Sequence, residues 1–234
     1  MLLAGEAEMA RDRYYQAYEW FERQLANYPN GQYYQRALNR EYAIADAFLE
    51  GKPRIALGFI RLPAQPEGLM ILDRIVEHAP ASVLAEKALL RKADYHVNRK
   101  EWDEAREAFD RFLELFPKSA RAPEAAFSAA QAMLGSYKGP SHDPTPLAEA
   151  QSRFEVIQRE YPELAARRDV ARTLQTIREL RAQKDYDTAR FYERVGKKGP
   201  AKFYYRQVRR QYPGSDYAEK AAKRLEKLGG GDEE

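Results

Sequence analysis

The chain contains no cysteine. That excludes disulfides, thiolate metal sites, a cysteine nucleophile and a lipid carried on a cysteine anywhere in these 234 residues. Histidine is almost as scarce, with three copies. His78, His96 and His142 are scattered, and none stands in a Glu-x-x-His or His-x-x-x-His spacing. His96 reads as a packing residue on the inner side of a helix, and the loop pair His142-Asp143 has no third ligand beside it. No apolar run reaches the eighteen or so residues of a membrane-spanning helix. The most apolar stretch, Ile55 to Pro63, is interrupted by Gly58 and Arg61. Gly229-Gly230-Gly231 is followed by Asp-Glu-Glu rather than by a Lys-Ser/Thr and a helix, so it is no phosphate loop. The opening Met-Leu-Leu-Ala-Gly is too short for a leader's charged and apolar regions, so the expectation is a cytoplasmic chain or a leader lying outside it. The sequence predicts a soluble non-enzyme with no cofactor and no metal.

What is abundant is repetition. An apolar residue followed by proline recurs at Tyr28-Pro29, Ala79-Pro80, Phe116-Pro117, Tyr161-Pro162 and Tyr212-Pro213. Ahead of four of these prolines an alanine stands twelve residues back and an aromatic eight back: Ala17/Phe21, Ala105/Phe109, Ala150/Phe154 and Ala201/Tyr205. Gly68 and Leu72 hold the two places in the remaining copy. A small residue and a large apolar one at i+4 share a helix face, and a neighbouring helix can come close over the small one. Self-similarity over tens of residues marks a stacked-helix array. The expected fold is therefore all-α, an α-solenoid of about five helix–turn–helix repeats.

The third copy sets the register. Ser82 caps helix A, which runs to about Asn98 with Leu84, Ala88, Leu89 and Ala93 inward. Helix B starts near Trp102-Asp103, and Pro117 stops it because a proline ring cannot continue the ladder. The first copy shows helix B but little of helix A. The second has helix A over 32–50, a break at Gly51-Lys52-Pro53, an insertion of about a dozen residues, then helix B over 68–77. The fourth runs from Pro123 to Tyr137, passes through a Pro/Gly-rich loop, and resumes at Leu147. Residues 167–184 read as helix A of the last copy, which extends through Tyr186, Ala189 and Tyr192 to a turn near Gly196. A final helix covers 217–228. The solenoid is expected over 7–228, as N-terminal repeats (7–117) and basic C-terminal repeats (118–228), with 229–234 a disordered tail.

Charge is uneven. Residues 163–228 hold 18 Lys/Arg against 9 Asp/Glu, while 1–162 hold 21 against 24. A basic module favours an acidic protein partner, an anionic surface or nucleic acid. The many carboxylates elsewhere read as solvated helix exteriors. Tyrosine is over-used, at 16 copies, with doublets at Tyr14-Tyr15, Tyr33-Tyr34 and Tyr204-Tyr205. One ring of a doublet cannot share its neighbour's helix face, so one packs and the other is free to meet solvent or ligand. Basic residues among Tyr204, Tyr205 and Tyr212 leave a nucleic-acid binder open as a third reading, although no groove-reading motif accompanies them.

The small residue, the aromatic four on and the proline twelve on resemble the tetratricopeptide repeat. Within that class, Tyr28-Pro29-Asn30-Gly31-Gln32-Tyr33 and Tyr212-Pro213-Gly214-Ser215-Asp216-Tyr217-Ala218 narrow the likeness. So do Ala189 to Arg194, Ala201 to Arg206, and the loop leading to Asp143, Leu147 and Ala150. Together they resemble the BamD (YfiO) family of outer-membrane assembly lipoproteins, from about Ala7 to Leu228. The resemblance implies a periplasmic scaffold at the inner face of the outer membrane, peripheral to it, and a monomer within a hetero-complex. Its N-terminal repeats would hold an extended outer-membrane protein segment, and its C-terminal repeats would dock on the periplasmic domains of the insertase. The insertion over 51–67 departs from the compact family pattern. So does the absence of a signal peptide with a lipidated cysteine. An adaptor of another complex, of the Tol–Pal or cell-division coordinator type, would share the fold and differ only in partner. The expected binding residues on the helix A face are Tyr42, Asp46, Lys87, Arg91, Asp94 and Asn98. For the second partner they are Arg190, Arg194, Arg206 and Arg210.

Overall fold

The computed structural model describes residues 1–56 and 59–229. It contains helices α1 (Leu2–Met9), α2 (Tyr14–Asn27), α3 (Tyr34–Leu49), α4 (Gln65–His78), α5 (Val83–Arg99), α6 (Trp102–Leu115), α7 (Ala122–Gly135), α8 (Thr145–Glu160), α9 (Pro162–Arg167), α10 (Val170–Arg194), α11 (Lys198–Gln211) and α12 (Asp216–Lys227). Strands β1 (Arg54–Ala56) and β2 (Ile60–Leu62) lie between α3 and α4. The fold is all-α and repeat-built, of tetratricopeptide type. The strands are the one departure from pure helix among the described residues.

The repeating small-plus-large pairs form the spine of each helical pair. All ten residues, from Ala17/Phe21 to Ala201/Tyr205, are buried. Each B helix stops at the residue before its proline: Tyr28, Ala79, Phe116, Tyr161 and Tyr212 have left the helical region, with φ between −144° and −125° and ψ of 52° to 62°. The proline's ring crowds the preceding residue out of the α region, so the stop is written into the dipeptide. In the second repeat the pair needs glycine. A Cβ on Gly68 would stand 2.9 Å from the carbonyl oxygen of Ala45 and 3.1 Å from Leu49 side-chain atoms, so α4 lies closer to α3 than alanine allows. Ser82 and Ser215 cap α5 and α12 by accepting from the amides of Ala85 and Ala218.

Two compact units divide the chain, Met1–Ala125 and Ala126–Glu234. In the first, successive helices pack in order from α1 to α6, and α3 also touches α5, so A helices lie beside A helices. In the second, Phe127, Ala130 and Met133 of α7 share a core with α8, α9 and the first half of α10. The second half of α10 packs against α11 and α12 around Tyr186, Tyr205 and Val208. One 25-residue helix thus serves two cores.

Four differences from the sequence reading have local causes. The first helix A is present as α1, beginning at Leu2 rather than near residue 7. It seats on α2 through Gly5, where a Cβ would come within 2.5 Å of the Phe21 ring. The insertion after Gly51 forms an antiparallel hairpin with Ile55 opposite Arg61. Arg54 anchors it, lying 4.0 Å over the Tyr15 ring and 3.2 Å from Glu67. The helix expected from Arg167 starts at Val170, because Asp169 takes a left-handed φ of 49° and caps the amide of Arg172. Finally, the carboxylates are not all exterior: Glu41 on α3 is 0% exposed. Of the expected tail, Gly229 is exposed and 230–234 lie outside the described residues.

Candidate protein-binding surfaces

On the first unit, α3 and α5 lie side by side and present polar side chains over their buried stripes. The α5 stripe is Leu84, Ala85, Ala88, Leu89, Ala93 and His96. Lys87, Arg91, Asp94 and Asn98 follow each other at helical spacing on the opposite side. Lys87, Asp94 and Asn98 are exposed and Arg91 is half-buried. On α3, Tyr42 and Asp46 are half-buried and one turn apart. The structure joins the two rows: the Arg91 Nε donates to Asp46 Oδ1, and its Nη2 stands 3.9 Å from Glu50. Burial pushes the Tyr42 phenol up, and the charges of Asp46 and Asp94 push it further, against Arg91 and Arg121. The Asp94 carboxyl is likewise raised by desolvation, with Arg91 opposing. Tyr42, Asp46, Arg91 and Asp94 therefore form one electrostatic group, joined by Arg121, which sequence reasoning missed. Lys87 and Asn98 extend the same α5 row a turn to either side.

One residue from Tyr42, Glu41 sits inside the unit. Neither carboxylate oxygen has a hydrogen-bond partner. Burial, aided by the charge of Glu22, pushes its pKa up to about 9, so the group is held as a neutral acid at pH 7. Glu22 itself accepts from the Tyr18 hydroxyl at 3.0 Å and lies 3.3 Å from His78 Nε2. His96 is buried and bonded to Glu101 at 2.8 Å, a packing role as expected.

On the second unit, the four expected arginines fall into two pairs. Arg190 and Arg194, a turn apart on α10, line a groove with Phe191, Tyr192, Thr188 and the Pro140-Ser141 loop. Arg206 and Arg210, a turn apart on α11, flank another hollow with Phe203 and Gln207. The doublet Tyr204-Tyr205 divides its rings as the helix period requires. Tyr205 is fully buried and donates to Glu193 at 2.6 Å, while Tyr204 is half-buried and stacks on Tyr192. In the doublet Tyr33-Tyr34, the first ring is exposed and the second hydroxyl donates to the carbonyl of His78 at 2.9 Å. Both rings of Tyr14-Tyr15 are engaged, against Phe48 and Arg54. The doublet signal pointed towards the aromatic group; Phe191 and Phe203 carried no signal of their own.

Among the described residues no group of three or more His, Cys, Asp or Glu is placed to hold a metal ion. No described helix is long and apolar enough to cross a membrane.

Comparison with known proteins adds the following. Among solved structures, the chain is similar to a Podosopora anserina putative kinesin light chain with nearly identical TPR-like repeats, at 15% identity and a TM-score of 0.39, covering 89% of this chain and 91% of that one. It is also similar to PilF of Pseudomonas aeruginosa, at 16% identity and a TM-score of 0.34, covering 95% of each. No curated protein matches. The family model described as YfiO, outer membrane lipoprotein, matches residues 69–229. With its repeats, its proline stops and that match over more than half its length, the chain belongs to the YfiO (BamD) family of outer-membrane lipoproteins.

Proposed function

We propose that this chain is a non-enzymatic adaptor of outer-membrane β-barrel protein assembly, acting in the periplasm against the outer membrane. The observation that carries the reading is the α3–α5 face, where Tyr42, Asp46, Arg91 and Asp94 from two neighbouring A helices act as one group. Such a face offers donors, acceptors and both signs of charge along a row, which suits an extended polypeptide whose main chain needs partners along its length. Membership of the family supports the same role. In this reading the N-terminal repeats (7–117) hold the unfolded outer-membrane protein segment. The basic repeats (118–228) dock through Arg190, Arg194, Arg206 and Arg210 on the periplasmic domains of the insertase.

The test uses the whole chain and two purified ligands, an unfolded β-barrel precursor segment and the insertase's periplasmic domain. Tyr42→Ala with Asp94→Lys is expected to weaken the precursor roughly tenfold and leave the insertase domain unaffected. Reversing the four arginines should do the opposite. Equal binding of both ligands by both variants would remove the assignment.

A further inference from the structure

Large apolar side chains standing in a charged surface mark places that something covers. Three lie together around the α10–α11 turn: Phe191 is 51% exposed, Val195 50% and Phe203 61%. The two phenylalanines are the ends of a continuous run of rings. Phe191 meets Tyr192 edge-on at 5.6 Å, Tyr192 stacks on Tyr204 at 5.4 Å with 8° between planes, and Tyr204 meets Phe203 edge-on at 5.4 Å. Beneath them Tyr205 is buried against Tyr186. Rings already packed against one another have little freedom left to lose when a partner arrives, which is the property of a preorganised anchor.

The charge around these rings is mainly positive, although Asp187 lines the groove of Arg190 and Arg194 beside Phe191. Between residues 188 and 215 the chain has eight Lys/Arg and a single carboxylate, Glu193. Glu193 is already occupied, accepting from the Tyr205 hydroxyl at 2.6 Å and lying 3.4 Å from Arg224. Lys202 donates to the carbonyl of Gly229. Arg194, Lys197, Lys198, Arg206 and Arg210 have no side-chain partner among the described residues. The rings are therefore a half-covered apolar centre inside a rim of unneutralised cations.

We propose that the α10–α11 turn is a binding hot spot for an acidic segment of a partner protein, one that brings an apolar side chain flanked by carboxylates. The proposal rests on the docking role assigned above to the basic repeats, and it names the chemistry of what docks. Tyrosine and arginine around a central apolar anchor are the composition of protein–protein hot spots. A bilayer is a poorer fit. Along the exposed side of α11, Phe203 is followed by Arg206, Gln207 and Arg210, so the helix has no apolar face to lay into lipid.

The experiment measures three probes against the full chain by fluorescence anisotropy or co-sedimentation. The first is a labelled peptide, Asp-Glu-Leu-Phe-Glu-Asp, paired with a version in which Leu-Phe is Ala-Ala. The second is a single-stranded thymidine oligonucleotide. The third is vesicles of phosphatidylcholine with a quarter phosphatidylglycerol. The expected result is peptide binding that drops roughly tenfold for the Ala-Ala version and for Phe191→Ala/Phe203→Ala, with the salt slope unchanged. Arg194→Glu/Arg206→Glu should abolish it. These side chains are exposed, and unchanged circular dichroism melts would confirm that the variants fold. Sensitivity to the arginines with none to the phenylalanines overturns the aromatic anchor and leaves the docking role standing. Indifference to both, or no peptide binding, overturns the hot spot. Phenylalanine-dependent binding to the vesicles or the oligonucleotide without peptide binding overturns it in favour of that surface.

Discussion

The α3–α5 face and the α10–α11 turn are built from the same repeat and bear charge in opposite ways. On α3–α5 the central charges have company: Arg91 holds Asp46 and approaches Glu50, and Asp94 stands in its field. At α10–α11 Glu193 is taken up by Tyr205 and Arg224, and Arg194, Lys197, Lys198, Arg206 and Arg210 have no side-chain partner among the described residues. A repeat scaffold thus supplies position, and the pairing state of the surface charges decides what kind of ligand the position suits. Matched charges fix side chains in place and respond weakly to salt; unmatched ones act at a distance and respond strongly.

Reversing Arg190, Arg194, Arg206 and Arg210 together should produce the largest effect. Affinity for an acidic partner is expected to fall by about two orders of magnitude, with a flattened salt dependence and an unchanged melting temperature. An equal loss from reversing Lys87 and Arg91 would erase the contrast between the two surfaces.

Second in size is the effect of Glu41. Its carboxyl is raised from about 4.5 to about 9 in the fold. The folded state therefore binds the extra proton between those values, and stability falls as pH rises from about 4.5 towards 9. Glu22, Tyr18, Tyr34 and His78 are the titratable groups that gather around this pocket of α2, α3 and α4. Glu41→Gln should flatten that decline and stabilise the protein by about 1–3 kcal/mol at pH 8, with little change at pH 5. Chemical denaturation at the two pH values reads it out. A wild-type curve that rises over the window would contradict the buried neutral acid.

A smaller loss is expected from Tyr205→Phe, which deletes the hydroxyl bonded to Glu193 at a cost of about 1 kcal/mol. It also frees a carboxylate beside the cationic rim, so binding of an acidic ligand should weaken slightly while the ring packing survives. Smallest of all, Arg91→Ala should cost no more than about 1 kcal/mol, since its ion pair is only partly buried. Its clearer signature is spectroscopic. Losing the cation that opposes Asp46 and Asp94 should raise the Tyr42 phenol further, visible in an ultraviolet pH titration.

Much of this architecture is written locally, which is why it can be read from the chain. The proline that ends each B helix and the Ala/aromatic pair four residues apart act within a single helix, and all five copies stand where those marks put them. Tertiary contacts explain what the sequence hides. Leu2–Met9 has no aromatic to announce it, and it becomes helix A only by sitting on Phe21. The run through Ile55 does not alternate, and its hairpin depends on Arg54 reaching Tyr15 and Glu67. Glu41 looks like any outward carboxylate until α2 and α4 close over it. The six helix A residues are legible as two rows, Tyr42 and Asp46 on α3 and Lys87, Arg91, Asp94 and Asn98 on α5, and the Arg91–Asp46 pair that joins the rows is a tertiary contact. The four arginines are likewise legible as two pairs, because the i+4 spacing that picks them out works within one helix and says nothing about the next.

Gly68 and the hairpin before it belong to the same repeat, and together they show how such an array tolerates additions. An extra module between two partner helices does no harm provided the second one returns to its seat, and a residue without a side chain lets it settle deeply enough to do so. The segment from Pro53 to Pro63 is on that account a natural graft point. Epitopes, tags or foreign loops could be spliced in there while the neighbouring helical pairs keep their register.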